Sequence, residues 1–403
     1  AIGNGGNINI STGSLALTNS AALSTGTFGQ GNAGSITINA RDSVSLNGGS
    51  VDSGVLEGAI GNGGNINIST GSLALTNSAS LDSNSNGQGN AGSITINARD
   101  MVSLNSGSVG SDVLEGAVGN GGNVDITTGS LALTNGELLS TATNGRGNAG
   151  SITINARDRV SLDGVGVRSD GSSPSGVFSG VLEGAVGTGG NINITTGSLT
   201  LTNSAVVSTD TTGGGNAGSI AINARDRVTL DGKSMIFSNV LPNAFGTGGT
   251  INITTDSLTV RNSAVVLTNT FGGGNAGSIT INARDTLTMD GVSSDGSFPS
   301  SISSGDVPTD TNTLAQRSAG SQGNINITTG SLKVTNGAQL ITNKYGQGSG
   351  GDITINARDL VIFDGQVSNY FPSGALSRVI AGAEGKSGNI NITTGSLALT
   401  HGA

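Results

Sequence analysis

Two short motifs alternate along the whole chain, and their spacing restricts the fold more than any other property of the sequence. The first reads G-N-I-N-I-[ST]-T-G-S-L-x-L-T-N, with its leading Asn position at Asn7, Asn65, Asn123, Asn191, Thr250, Asn324 and Asn389. The second reads G-S-I-T-I-N-A-R-D-x-V-x-L, with N-A-R-D beginning at Asn39, Asn97, Asn155, Asn223, Asn282 and Asn356. From the first motif to the second is 32 residues in all six copies, whereas the return takes 26, 26, 36, 27, 42 and 33. Half of each unit therefore has a fixed length, and insertions enter only the other half. A coil that is packed along one side and open at one corner behaves in this way.

The motifs are also versions of each other. Ile8-Asn9-Ile10 followed by Leu15-Ala16-Leu17 matches Ile36-Thr37-Ile38 followed by Val44-Ser45-Leu46, at an offset of 28 to 29 residues. The basic period is one coil, with two coils in each unit of about 58 residues. Within a coil the apolar residues alternate with polar ones in short runs broken by Gly, Asn, Ser and Thr, which reads as strands with one buried face. A single coil buries too little to stand alone, and stacking solves this by pairing each strand with its counterparts above and below. The expected fold is all-β: a right-handed parallel β-helix of about 13 coils, its hand following from the crossover rule for parallel strands. Residues 1–403 read as a single repeat array, with units starting near 7, 65, 123, 191, 250, 324 and 389, cut from a longer protein. Ile36, Ile38, Val44, Leu46 and their equivalents should form the core. Outward Asn9 and Asn67 should bond along the stack.

Composition narrows the function classes. Gly reaches 70 residues without a G-X-Y period, which excludes collagen, and Trp is absent, which argues against a propeller. The net charge is −9 with basic residues scattered singly, so no nucleic-acid footprint is present. No apolar run approaches the ~18 residues of a membrane span, and there is no Cys for disulfides or thiolate metal sites. His401 is the only histidine, which leaves the many serines without a triad partner.

Tandem G-N-A-G-S-I-T-I-N-A-R-D, as at Gly31 to Asp42 and Gly89 to Asp100, resembles the repeats of cyanobacterial filamentous-haemagglutinin-like exoproteins of the two-partner secretion type. The resemblance covers essentially the whole chain. It implies export to the cell surface and a role as a structural filament or adhesin stalk, non-enzymatic, without cofactor. Unpaired strand edges at the ends of a stack would join further copies end to end or laterally, and the variable connectors could recognise surface glycans or other cells. The alternative is a carbohydrate-binding or carbohydrate-active (lyase- or hydrolase-like) β-helix, which would need carboxylates clustered at one place.

The recurring pairs from Arg41-Asp42 to Arg358-Asp359 occur in every unit, unlike an active site, and read as corner residues with Asp in an Asx-type turn. Glu57, Glu115 and Glu183 read as solvated loop charges. The long connectors are the candidate partner-binding ridge. They carry Ser173-Pro174-Ser175, Phe298-Pro299-Ser300 and Phe371-Pro372-Ser373, and most of the chain's few aromatics. Candidate contact residues are Asp170, Pro174, Phe178, Asp295, Phe298, Pro299, Asp306, Tyr370, Phe371 and Pro372, and the connector acids could bind Ca2+ weakly. The competing reading is that these loops fold back over an apolar flank of the coil.

Overall fold

The structure, a computed structural model, describes residues 2–168, 171–271, 273–292, 298–305, 320–367, 371–380 and 383–403. The chain is all-β, with parallel coils stacked into a β-solenoid. Among the described residues, thirteen long strands carry the repeat, and the solenoid has about 11 turns against the 13 coils expected. Two compact units divide it: residues 1–197 with 213–215, and residues 198–212 with 216–403.

In the first unit the long strands Ile8–Thr18, Ile36–Asn47, Ile66–Thr76, Ile94–Asn105, Val124–Thr134 and Ile152–Asp163 pair in that order, all parallel. Short strands of three residues, from Ala22–Ser24 and Ser50–Asp52 to Gly176–Phe178, form a second parallel stack. Single bridges, such as Thr27 to Val55 to Ser85, continue the pairing between them. The second unit repeats this plan. Its long strands run from Ile220–Asp231 through Ile251–Arg261, Ile279–Asp290, Ile325–Thr335 and Ile353–Asp364 to Ile390–Thr400.

Side-chain alternation places the same residue of every coil inside. Ile36 pairs with Ile66, Ile66 with Ile94 and Ile94 with Val124, and all four are fully buried. At roughly 2 kcal/mol for each buried Ile, the columns outweigh the weak strand preference of the Asn and Ser that separate them.

The Arg-Asp pairs turn out to be bulges. Thr12 pairs with Ala40 and Ser14 with Ser43, so Arg41 and Asp42 together oppose the single residue Gly13. The same two-against-one mismatch recurs at Gly71 and Gly129, and it accounts for the offset of 28 before the bulge and 29 after it. A Cβ on Gly71 would lie 2.3 Å from the Asp42 carbonyl and 2.9 Å from Arg99 Nη2. Glycine in one motif is thus the seat for arginine in the other.

A second glycine column sets the coil spacing at the strand entry. A Cβ on Gly64 would sit 1.9 Å from the Gly34 carbonyl, and one on Gly92 would sit 2.1 Å from that of Gly64. An asparagine ladder exists, but five residues before Asn9 and Asn67. The Asn4 side chain accepts the N–H of Asn32, Asn32 that of Asn62, and Asn62 that of Asn90, at 2.8 to 2.9 Å. These positions precede the strand, where the backbone N–H has no ladder partner of its own, so the amide supplies one.

Replacing the fully buried Ile96 by Asp should cost several kcal/mol in urea unfolding, because it puts an unpaired charge into an apolar column. The same change at its outward neighbour Thr95 should cost under ~1 kcal/mol. Equal effects at the two positions would contradict the assigned facing.

Candidate functional site

The connectors return to the coil by one repeated staple. Ser175 donates its hydroxyl to the Asp163 carbonyl at 2.7 Å, and its Oγ accepts the Gly136 N–H at 3.0 Å. Ser300 does the same with Asp290 (2.9 Å) and the Ser263 N–H (3.0 Å), and Ser373 with Asp364 (2.8 Å) and the Gly337 N–H (2.9 Å). Their own N–H groups bond the carbonyls of Gly164, Gly291 and Gly365. In a connector without a long insertion, Ser234 donates to the Asp231 carbonyl in the same way. The serine of each P-S string therefore ends the insertion and puts the chain back on its rail.

Of the candidate contact residues, Asp170, Asp295, Asp306 and Tyr370 lie outside the described residues. Pro174, Phe178, Phe371, Pro299 and Pro372 are half-buried, while Phe298 is 66% exposed. Pro372 lends its carbonyl to Gln339 Nε2 at 3.0 Å, and Phe298 lends its own to the Ser263 hydroxyl at 2.6 Å. Phe28 and Phe245, at 78% and 71%, are more exposed than any of them, and Phe28 lies outside the connectors. Glu57, Glu115 and Glu183 are exposed.

The Arg-Asp pairs form an exposed rank on the bulges. Arg41 bonds Asp42 through Nε and Nη2 at 3.0 and 2.9 Å, and Arg99, Arg157, Arg225 and Arg358 repeat this with their own neighbours. The carboxylate is held by the adjacent guanidinium rather than by turn amides, because the bulge sets both side chains on the same outer face. The guanidinium hydrogen bond holds the Asp42 and Asp226 carboxyls below the usual range. Where Asp256 replaces the seat glycine, Arg284 also reaches down to it at 2.7 Å.

The outer face of the short strands varies from coil to coil. In the first unit its flanking positions are polar at Ser50, Asp52, Ser80 and Asp82 but apolar at Leu138 and Phe178, and the second unit presents Val265, Leu267 and Ile341 beside Ser301 and Ser303. Over these three lies a groove of about 260 Å³, bordered by Phe298 and Pro299 and by Tyr345, with Asn269, Asn343, Ser301 and Ser303 among its polar groups. Of this connector, Phe298 and Pro299 lie beside the apolar flank and leave an opening. Tyr345 and the floor were not evident as site residues, because positions 265, 298 and 341 meet only through stacking.

Two acids, the half-buried Asp112 and the buried Asp210, were also missed. Asp112 and Asp210 stand in a polar column beside the short strands. Asp112 Oδ1 accepts from the Ser140 hydroxyl and the Ala142 N–H, both at 2.6 Å. Asp210 Oδ1 accepts the Asn239 N–H at 2.7 Å, and Asn239 accepts that of Asn269 at 2.8 Å. Burial pushes the Asp112 carboxyl up to about 6, with Asp82 adding to the rise, and the Asp210 carboxyl up to about 8. Lys344 is fully buried, with Nζ donating to the Gly320 carbonyl at 2.7 Å. Among the described residues, no three His, Cys, Asp or Glu side chains gather as a metal site would need. The chain matches no protein-family model, no curated protein and no solved structure.

Two outcomes follow from these contacts. Ser300→Ala should lose on the order of 1–3 kcal/mol in urea unfolding, since the Ser263 N–H and the Asp290 carbonyl lose their shared partner. An unchanged midpoint would show that the staple is idle. Because the Asp210 carboxyl is raised in the folded state, its protonation stabilises the fold at low pH, and that contribution is lost as pH rises through about 8. Asp210→Asn keeps the acceptor oxygen without the charge, so its gain in melting temperature should be larger at pH 9 than at pH 4. A gain independent of pH would contradict the burial of a carboxyl there.

Proposed function

We propose that the chain is a structural element, a segment of an extracellular filament or adhesin stalk, and that it is no enzyme. The observation that carries this reading is the repetition itself: coil after coil uses the same buried columns, and every second coil the same bulge. Chemistry of the catalytic kind needs one unique arrangement of groups, whereas the Arg-Asp pair recurs with the same geometry on five bulges, at Arg41, Arg99, Arg157, Arg225 and Arg358. A backbone that repeats without limit is suited to spanning distance and resisting pull. Variation is confined to the connectors, where recognition can be changed without disturbing the rail.

Export to the cell surface rests on the likeness of G-N-A-G-S-I-T-I-N-A-R-D to the filamentous-haemagglutinin-like repeats, and on that motif alone. Further copies of the chain, neighbouring cells and surface glycans are the partners that this role would engage.

Immunogold labelling of intact source cells, with antibodies raised against the 403-residue chain, should place label outside the envelope. Label confined to the cell interior, appearing only after permeabilisation, would overturn the surface role.

A further inference from the structure

We propose that the groove over Val265, Leu267 and Ile341 is a binding site for a neutral hexopyranose unit of a polysaccharide chain. The proposal goes beyond the scaffold role, and its failure leaves that role standing.

The chemistry of the lining selects the ligand. Among the described residues no charged side chain borders the groove, and the groups that do line it suit a neutral ligand. Its floor is aliphatic, and rings stand at its borders, Phe298 with Pro299 and Tyr345. Such a surface receives the flat C–H face of a sugar ring, as aromatic and aliphatic carbons receive any planar apolar face. Polar groups are few and uncharged: the amides of Asn269 and Asn343 and the hydroxyls of Ser301 and Ser303. Asn343 Oδ1 is buried without a hydrogen-bond partner among the described residues. Buried acceptors in native proteins are normally matched, so an amide left unmatched beside a groove points to a group that arrives from outside. Turning that amide about its last bond exchanges its oxygen and nitrogen. A sugar hydroxyl both donates and accepts, and therefore matches either orientation.

The site is small and held in advance. Its volume of about 260 Å³ lies below the ~300–1,000 Å³ usual for drug-sized ligands and suits one ring. The Phe298 backbone is fixed by the Ser263 hydroxyl on its carbonyl, by the bridge from Pro299 to Val292, and by the Ser300 staple. Asn269 is fixed likewise, its Oδ1 accepting from the Ser303 hydroxyl and the Gly305 N–H, both at 2.9 Å. Little ordering remains to oppose binding.

Isothermal titration of the intact chain with maltohexaose, cellohexaose and mannohexaose tests this. At least one should bind with a Kd of roughly 1 mM or tighter, the range of a single-ring contact. Phe298→Ala and Asn343→Ala should each weaken it at least ~10-fold, while Phe245→Ala, an exposed ring outside the groove, leaves it unchanged. Phe298→Leu keeps apolar bulk without the ring, and should also weaken binding if Phe298→Ala proves unstable. Failure of all three hexaoses to bind, or binding that survives these substitutions, would overturn the proposal. So would uptake of the apolar dye 8-anilinonaphthalene-1-sulfonate that depends on Phe298 but is not displaced by any hexaose, which would mark a hydrophobic partner surface instead.

Discussion

Everything in each unit depends on backbone N–H and C=O groups that pair between one coil and the next, because no coil can satisfy them alone. Parallel strands about 4.8 Å apart leave little tolerance at the corners, where the chain turns without a ladder to space it. Glycine answers this at the strand entry: the carbonyl of one coil occupies the place where the next would carry a Cβ, as Gly34 does under Gly64. Asparagine answers it one step away, lending a side-chain acceptor to the N–H above. The abundance of Gly and Asn is therefore a condition of close stacking rather than a sign of loose chain.

The same constraint explains why two motifs alternate. A bulge adds one residue, and its Arg and Asp need space that a second bulge directly above or below would take. Alternating coils solve this with glycine opposite each pair, so that Arg99 lies over Gly71 and Arg157 over Gly129. The unit of about 58 residues is thus the shortest period in which bulge and seat both occur. Asp256 is the exception that fits the rule, since it meets Arg284 with a charge in place of a gap.

Much of this was legible in the sequence, and the parts that were not share a cause. Ile36, Ile38, Val44 and Leu46 are buried as their alternation required, because burial there follows from period two within a single strand. The open corner was legible from the variable spacing. The P-S strings were visible as recurrences, yet they read as surface features, since nothing local shows that Ser175 closes onto Asp163 and Gly136. Asp210 stands out in no local pattern, and its carboxylate meets the Asn239 N–H only in the following coil. The groove joins residues from three coils, and only the register brings Leu267, Phe298 and Ile341 together. Local pattern fixes which face a residue takes; what it meets there is set by the coil above.

In-register stacking is the claim on which all of these readings rest, and a distance along the stack tests it directly. Ser45 and Ser161 lie in one outward column of the first unit, linked through Ala74, Ser103 and Ala132 by four successive pairings. Spin labels placed at these two serines should report a mean separation of about 19 Å by pulsed electron resonance, four steps of ~4.8 Å. A narrow distribution there would support the register. A broad distribution, or a mean displaced by ~10 Å or more, would mean that a unit of two coils is skipped or unpaired, and would contradict it.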